Sequence, residues 1–177
     1  MSILFILNMD YENLKKLVMK QAEEKGFGTK SSDIIVSEKM VLIHSEISEA
    51  YEAYLSNNLG GKDGFYEELG DVLQRTLHLG GIYAIDFSQN SDFDSDYISS
   101  VSLDGKIARL HKITSDAWES YRHKKIDVFK DKLVDLAYSL NQVSLENNFS
   151  LEDAILKKLD YNKNRDWNKE KKNEKFT

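Results

Sequence analysis

The segment from Ile43 to Tyr54, IHSEISEAYEAY, recurs without a gap from Leu110 to Tyr121 as LHKITSDAWESY. Both copies space their apolar residues as one face of an α-helix does, and a second apolar helical segment follows each copy. The second segments also align, with identical residues at Phe65 and Phe129, Leu69 and Leu133, and Asp71 and Asp135. Amphipathic helices can resemble one another by composition, but the simpler explanation is a duplicated helical hairpin. Two such hairpins can bury their apolar faces against each other as a four-helix core.

Helical periodicity continues through nearly the whole chain and predicts an all-α helical bundle. The predicted helices span about residues 11–25, 34–57, 65–86, 103–123, 127–147 and 150–165. We expect one domain, residues 1–177, with a four-helix core made of the antiparallel hairpins 34–87 and 102–148. An N-terminal helix and the C-terminal helix 150–165 flank this core. The polar stretch 88–100 is predicted to be a surface connection, either a tether or a mobile lid.

Composition narrows the class of protein. The 177 residues include no cysteine, which excludes disulfides and thiolate metal sites, and no proline, which permits long helices. A net charge of −6 argues against a nucleic-acid-binding module, which normally carries a basic patch. No stretch approaches the roughly 20 apolar residues of a membrane span. We therefore expect a soluble, cytoplasmic protein with neither nucleic acid nor membrane as a partner.

Two acidic steps on consecutive helices form the candidate site. Glu46 and Glu49 lie three residues apart, as do Glu68 and Asp71, and helical positions i and i+3 share a face. Four carboxylates that converge across a hairpin repel one another unless divalent cations neutralise them. Oxygen ligands suit a hard ion, so the predicted cofactor is Mg²⁺, with Mn²⁺ as a substitute.

The position of Glu46 strengthens this prediction. Glu46 interrupts the apolar stripe of its helix, and a carboxylate on a buried face is costly unless it is paired or binds a metal. In the second copy Ile113 stands in place of Glu46, and Lys132 stands in place of Glu68. Only the first copy keeps the full acidic set, so the second is predicted to be scaffold or one wall of the site.

These motifs resemble the MazG-like family of all-α nucleoside triphosphate pyrophosphohydrolases, which carry ExxE followed by ExxD. The resemblance lies in residues 42–50, LIHSEISEA, and in residues 67–75, EELGDVLQR. Residues 25–27, KGF, and residues 158–165, KLDYNKNR, are similar to further family segments. The degenerate second hairpin is similar to the dimeric dUTPase branch, in which one chain holds an active and a degenerate half.

The resemblance implies an enzyme that converts a nucleoside triphosphate and water into the monophosphate and pyrophosphate. It implies house-cleaning of the nucleotide pool, with a non-standard or pyrimidine deoxynucleotide as substrate, and the duplicated architecture favours dUTP or dCTP. The implied Mg²⁺ ligands are Glu46, Glu49, Glu68 and Asp71, and of these Glu46 and Glu49 are the candidate catalytic residues. The implied substrate-binding residues are Lys158, Asn162 and Arg165, together with Arg75, which either braces Asp71 or reaches phosphate. Aromatic candidates to stack on the base are Phe27, Tyr51 and Trp118.

Two other functions compete with this one. Paired acids on antiparallel helices also serve carboxylate-bridged redox metal proteins, but those sites carry Glu-x-x-His, and neither Glu46 nor Glu68 has a histidine three residues later. A non-catalytic bundle that senses nucleotides or binds a partner is the second alternative. The chain is compatible both with a monomer and with a homodimer or larger homo-oligomer formed through exposed helical faces.

Overall fold

The computed structural model describes residues 9–88 and 101–164, most of which lie in six α-helices. These are α1 (Tyr11–Lys25), α2 (Val36–Leu55), α3 (Phe65–Ile82), α4 (Leu103–Arg122), α5 (Ile126–Glu146) and α6 (Leu151–Asn164). A 3-10 turn (Ser31–Asp33) delays the start of α2 by two residues relative to the prediction. These two ranges contain no β-strand, and the all-α prediction is confirmed. Within them, no helix is long and apolar enough to cross a membrane.

The helices α2 and α3 form one antiparallel hairpin, and α4 and α5 form another. The rings of Tyr54 and Phe65 lie 5.7 Å apart at the closed end of the first hairpin. The rings of Tyr121 and Phe129 lie 5.3 Å apart at the closed end of the second. Lys106 pairs with Glu146 at its open end. Later residues of one helix therefore face earlier residues of the next, as the hairpin prediction requires.

The two hairpins pack face to face, α2 against α4 and α3 against α5. The side chains of His44 and His111, which occupy equivalent places in the repeat, contact each other at the α2–α4 crossing. Tyr51, about two turns after His44 on α2, interacts with Asp104, about two turns before His111 on α4. The helices α2 and α4 therefore also run antiparallel. Equivalent residues are buried in both copies, among them the fully buried Phe65 and Phe129. The structure thus has the predicted four-helix core.

The prediction that the third helix reaches residue 86 is wrong, because α3 ends at Ile82. Ala84 adopts a left-handed conformation with φ of 50°, and the backbone N–H of Ile85 donates to the carbonyl of Gly80 at 2.8 Å. This cap reverses the chain and turns Ile85 and Phe87 into the core. The ring of Phe87 then packs directly over Gly80, where any side chain would overlap it.

The helices α1 and α6 flank the core and both pack against α3. Ser150 caps the start of α6, since its hydroxyl accepts from the backbone N–H of Asp153 at 3.0 Å. Gln21 of α1 donates to the carbonyl of Leu159 of α6 at 2.7 Å, which joins the two flanking helices. The prediction for residues 88–100 falls outside the described residues except at Ser88, and Arg165 is also outside them.

Candidate metal centre

Three of the four predicted carboxylates converge between α2 and α3. Glu46, Glu68 and Asp71 each offer a carboxylate oxygen, and these oxygens all lie within 4.8 Å of one another. All three residues are at least 92% buried. Buried carboxylates are costly without compensation, so this cluster depends on neighbouring positive charge.

Two cations of the chain supply part of that charge. The guanidinium of Arg75 donates to Glu46 across the hairpin, with Nε 2.7 Å from Oε1 and Nη2 in contact with the same oxygen. Lys158 reaches in from α6, with Nζ 2.6 Å from Asp71 Oδ2 and 3.5 Å from Glu67 Oε1. The predicted alternative in which Arg75 bonds directly to Asp71 is therefore wrong, because Asp71 bonds to Lys158 and Arg75 bonds to Glu46.

The third carboxyl has no ion-pair partner among the described residues, and a proton compensates it. Burial is the main cause that raises the pKa of Glu68 to about 8, and the adjacent carboxyls of Glu46 and Asp71 contribute to the same shift. At neutral pH Glu68 is thus mainly protonated and can donate a hydrogen bond to Glu46. Burial also raises the pKa of Asp71, to about 6, against the opposing effect of Lys158.

A glycine inside the second acidic step allows α6 to approach. A Cβ at Gly70 would lie 3.2 Å from the Cβ of Ala154 and 3.3 Å from the Ala154 carbonyl carbon. Because Gly70 has no side chain, α6 packs closely on α3 at this point. Lys158 lies one turn after Ala154, which brings its ammonium group to Asp71.

The carboxylates line a cleft of about 410 Å³ between α1, α2, α3 and α6. Its walls include five further predicted site residues: Phe27, Glu49, Arg75, Lys158 and Asn162. Tyr51 and Trp118 are not among the lining residues. Tyr51 instead interacts with Asp104 at the α2–α4 interface, and Trp118 stacks on Tyr121 with ring centres 6.0 Å apart. Neither aromatic residue is therefore placed to stack on a base in this cleft.

Glu49 occupies the rim of the cleft and is separate from the buried cluster. It is exposed, and its Oε1 accepts a hydrogen bond from the hydroxyl of Ser45 at 2.8 Å. Glu49 lies one turn after Glu46, so both carboxylates project from the same side of α2. The arrangement separates one solvent-accessible carboxylate from three buried ones.

The loop after α1 places Phe27 on the cleft wall. His78 Nε2 lies 2.8 Å from the carbonyl oxygen of Gly28, so this ring nitrogen carries the proton and donates it. Gly28 has φ of 84°, and a Cβ there would lie 2.9 Å from the Cβ of Asp33, so this position needs glycine. Asp33 in turn accepts from the backbone N–H groups of Thr29 and Lys30 at 3.1 Å. The loop is thereby tied to α3 and to the 3-10 turn that precedes α2.

Sequence reasoning missed several residues of the cleft wall, chiefly Lys39, Gln21 and Gln74. Lys39 precedes Glu46 by seven residues, which is two helical turns, and this spacing was the available signal. The two glutamines gave no signal, because they come together only through tertiary packing. Gln74 Nε2 donates to Gln21 Oε1 at 3.3 Å.

The second hairpin lacks an equivalent acidic cluster. Ile113, which replaces Glu46, is buried in the core. Lys132, which replaces Glu68, pairs with Asp135 at 2.7 Å and so neutralises the counterpart of Asp71. The described residues contain one group of three or more potential metal-ligating side chains, and it lies in the first hairpin.

No protein-family model, curated protein or solved structure matches this chain. The chemistry of the site therefore rests on its own geometry. The cluster offers only carboxylate oxygens, from α2 and α3, and oxygen donors suit hard metal ions. The buried acids could therefore hold a metal ion.

Proposed function

We propose that this protein is a Mg²⁺-dependent pyrophosphohydrolase of nucleoside triphosphates. The observation that carries the proposal is the cluster of Glu46, Glu68 and Asp71, which opens onto a cleft of about 410 Å³ also lined by cationic side chains. Acids that hold divalent cations, beside cations that bind phosphate, are the recurrent parts of phosphoryl-transfer sites. The motif resemblance to MazG-like enzymes supports the same activity.

In this proposal Glu46, Glu68 and Asp71 hold the metal, and Glu49 joins them from the rim. Bound Mg²⁺ would supply charge neutralisation for the phosphates and activation of water. The bound ion then offsets the free-energy cost of burying the carboxylates. It replaces the proton on Glu68 and the side chains of Arg75 and Lys158, which bond to the cluster in the metal-free protein.

The remaining residues position and deprotonate the reactants. Water attacks the α-phosphorus, the bond to the oxygen bridging the α- and β-phosphates breaks, and pyrophosphate leaves with that oxygen. Glu49 is the carboxylate best suited to accept the proton of the water, because it is exposed and lines the cleft. Arg75 and Lys158, released from Glu46 and Asp71, bind phosphate oxygens, and Asn162 adds an amide from the same face of α6.

The apolar part of the cleft is suited to a nucleobase. Phe27, Val18, Ala22 and Leu42 line it, and an aromatic ring beside aliphatic side chains can pack on the face of a base. The resemblance to the dimeric dUTPase branch favours dUTP or dCTP and a role in cleaning the nucleotide pool.

A panel of canonical and modified ribo- and deoxyribonucleoside triphosphates tests the proposal. Each nucleotide is incubated with the protein in Mg²⁺ and in EDTA, and released pyrophosphate is measured. We expect release from some nucleotides in Mg²⁺ and none in EDTA. If a folded sample releases no pyrophosphate from any nucleotide in Mg²⁺ or Mn²⁺, the proposal fails and a non-catalytic bundle that senses nucleotides or binds a partner replaces it.

A further inference from the structure

Lys39 is a cation of the cleft whose position the buried acids do not explain. It is partly buried on α2 and lines the same cleft as the acidic cluster. Among the described residues no carboxylate lies within ion-pair distance of it, whereas Arg75 and Lys158 both have such partners.

The charge inside the cleft that shifts the pKa of Lys39 is the positive charge of Arg75. Burial lowers the pKa of Lys39, and the guanidinium of Arg75 lowers it further, while Glu38 opposes this from the neighbouring position. Burial also lowers the pKa of His78, and the charges of Lys39 and Arg75 add to that effect. Cations held together in a partly dehydrated cleft repel one another, and an anion bound between them would relieve that repulsion.

The geometry also separates this cationic end of the cleft from the acidic cluster. Lys39 lies two turns before Glu46 on α2, about 10 Å along the helix axis. His78 lies two turns after Asp71 on α3, which runs antiparallel to α2. The cleft therefore changes from acidic to cationic along its length. Arg75 lies between the two ends, and three of its five N–H donors have no partner among the described residues.

We propose that Lys39 and Arg75 form a phosphate subsite that binds the pyrophosphate end of the substrate. This inference rests on the proposed function and assigns a direction to the triphosphate. The α-phosphate lies at the acidic cluster, and the β- and γ-phosphates extend along α2 toward Lys39, while the base lies on the α1 side of the cleft against Val18, Ala22 and Phe27. His78 holds the loop that carries Phe27. Because His78 stays neutral, the positive charge of the subsite comes from Lys39 and Arg75.

Calorimetric titration of the full chain with inorganic pyrophosphate in Mg²⁺ tests the subsite, with deoxyuridine monophosphate as the second ligand. We expect Lys39→Met to weaken pyrophosphate binding about tenfold, the effect of losing one charge-assisted hydrogen bond, and to leave monophosphate binding unchanged. Lys39→Arg should retain most of the affinity. Lys157→Met is the control with the same charge change, because Lys157 is exposed on α6 and does not line the cleft.

Three results would overturn the subsite. The first is equal pyrophosphate affinity in the wild type and Lys39→Met, the second is equal weakening by Lys39→Met and Lys157→Met, and the third is a wild type that does not bind pyrophosphate. A thermal melt of each variant checks that it folds. The nucleotide panel tests the proposed function separately. A protein that binds pyrophosphate through Lys39 but hydrolyses no nucleotide supports the subsite and contradicts the proposed hydrolase activity. If the wild type does not bind pyrophosphate, the subsite is ruled out, and the hydrolysis assay alone then tests the proposed function.

Discussion

His44 and His111, equivalent residues of the two hairpins, meet nitrogen to nitrogen, with their Nδ1 atoms 2.8 Å apart. Their ring planes are within 10° of parallel and their centres are 5.1 Å apart, so the contact is edge to edge. Only one proton fits between two nitrogens at this distance, and one ring donates while the other accepts. The repeat thus meets itself at its own equivalent positions, as the two subunits of a symmetric dimer do.

This contact predicts that the α2–α4 interface loses stability in acid. Burial lowers the pKa of both rings, and for His44 the charge of His111 adds to the effect. As the pH falls below the ordinary histidine pKa of about 6.5, the unfolded chain takes up protons that the folded pair resists, so the free energy of unfolding decreases. Each unit of pKa depression contributes about 1.4 kcal/mol.

Urea unfolding of wild type and His44→Gln/His111→Gln between pH 7.5 and pH 5 measures this effect. The double variant should lose less stability over that range than the wild type. His123→Gln is the control, since His123 is exposed and lies away from the interface. A double variant with the same pH dependence as the wild type would contradict the prediction.

The two halves of the repeat should differ in their effect on activity. Asp71→Asn removes a carboxylate of the acidic cluster, whereas Asp135→Asn removes its counterpart, which pairs with Lys132 outside any such cluster. We expect Asp71→Asn to lower kcat/KM for pyrophosphate release at least 100-fold, and Asp135→Asn to change it less than about twofold. A large loss in Asp135→Asn would mean that the second hairpin is more than scaffold.

Metal affinity should depend on the buried acids and not on an exposed acid of the same helix that lies outside the cleft. Glu68→Gln keeps the shape of the side chain but removes a ligand. Loss of a residue that only orients a ligand costs roughly 10- to 100-fold in metal affinity, so loss of the ligand should cost at least about 100-fold. Mn²⁺ titration by electron paramagnetic resonance gives the affinity. Glu52→Gln, exposed on α2, should bind Mn²⁺ as the wild type does, and a Glu68→Gln protein that also does so would refute the metal site.

Glu68 should make the metal-free protein less stable as the pH rises. Its pKa is raised from an ordinary 4.5 to about 8, so between these values the folded chain holds a proton that the unfolded chain has released. The free energy of unfolding therefore falls from about pH 4.5 to pH 8, opposite in sign to the histidine effect. Comparison with Glu68→Gln in EDTA isolates the contribution of Glu68. The stability difference between the two proteins should move in favour of Glu68→Gln as the pH rises, and a difference that is constant with pH would contradict the assignment.

The helices and the identity of the acidic residues could be predicted because both depend on local spacing. Apolar residues at helical spacing identify the buried faces, and Glu46 stands out as a carboxylate within such a face. Predictions of burial from this spacing are wrong where the chain ends a helix or a hairpin. Tyr54 follows the periodicity of the inner face, yet it is 37% exposed, because it lies in the last turn of α2.

The partners of the site residues could not be predicted, because they depend on how the helices pack. Sequence spacing suggests an Arg75–Asp71 pair within one helix, but Arg75 bonds Glu46 on the facing helix. Lys158 reaches Asp71 because α6 packs closely at Gly70, and no local pattern specifies that approach. Lys39 carries no motif and becomes notable only when its cationic neighbours in the cleft are known.

Hydrolysis in ¹⁸O-labelled water, with Mg²⁺ and with dUTP and dCTP as the first substrates, tests the central claim most directly. Phosphorus NMR of the products identifies both the species formed and the phosphorus that received the label. We expect pyrophosphate without label and a nucleoside monophosphate with one ¹⁸O, with no reaction in EDTA or in Glu68→Gln. Release of orthophosphate, label in the pyrophosphate, or full activity in Glu68→Gln would contradict the central claim.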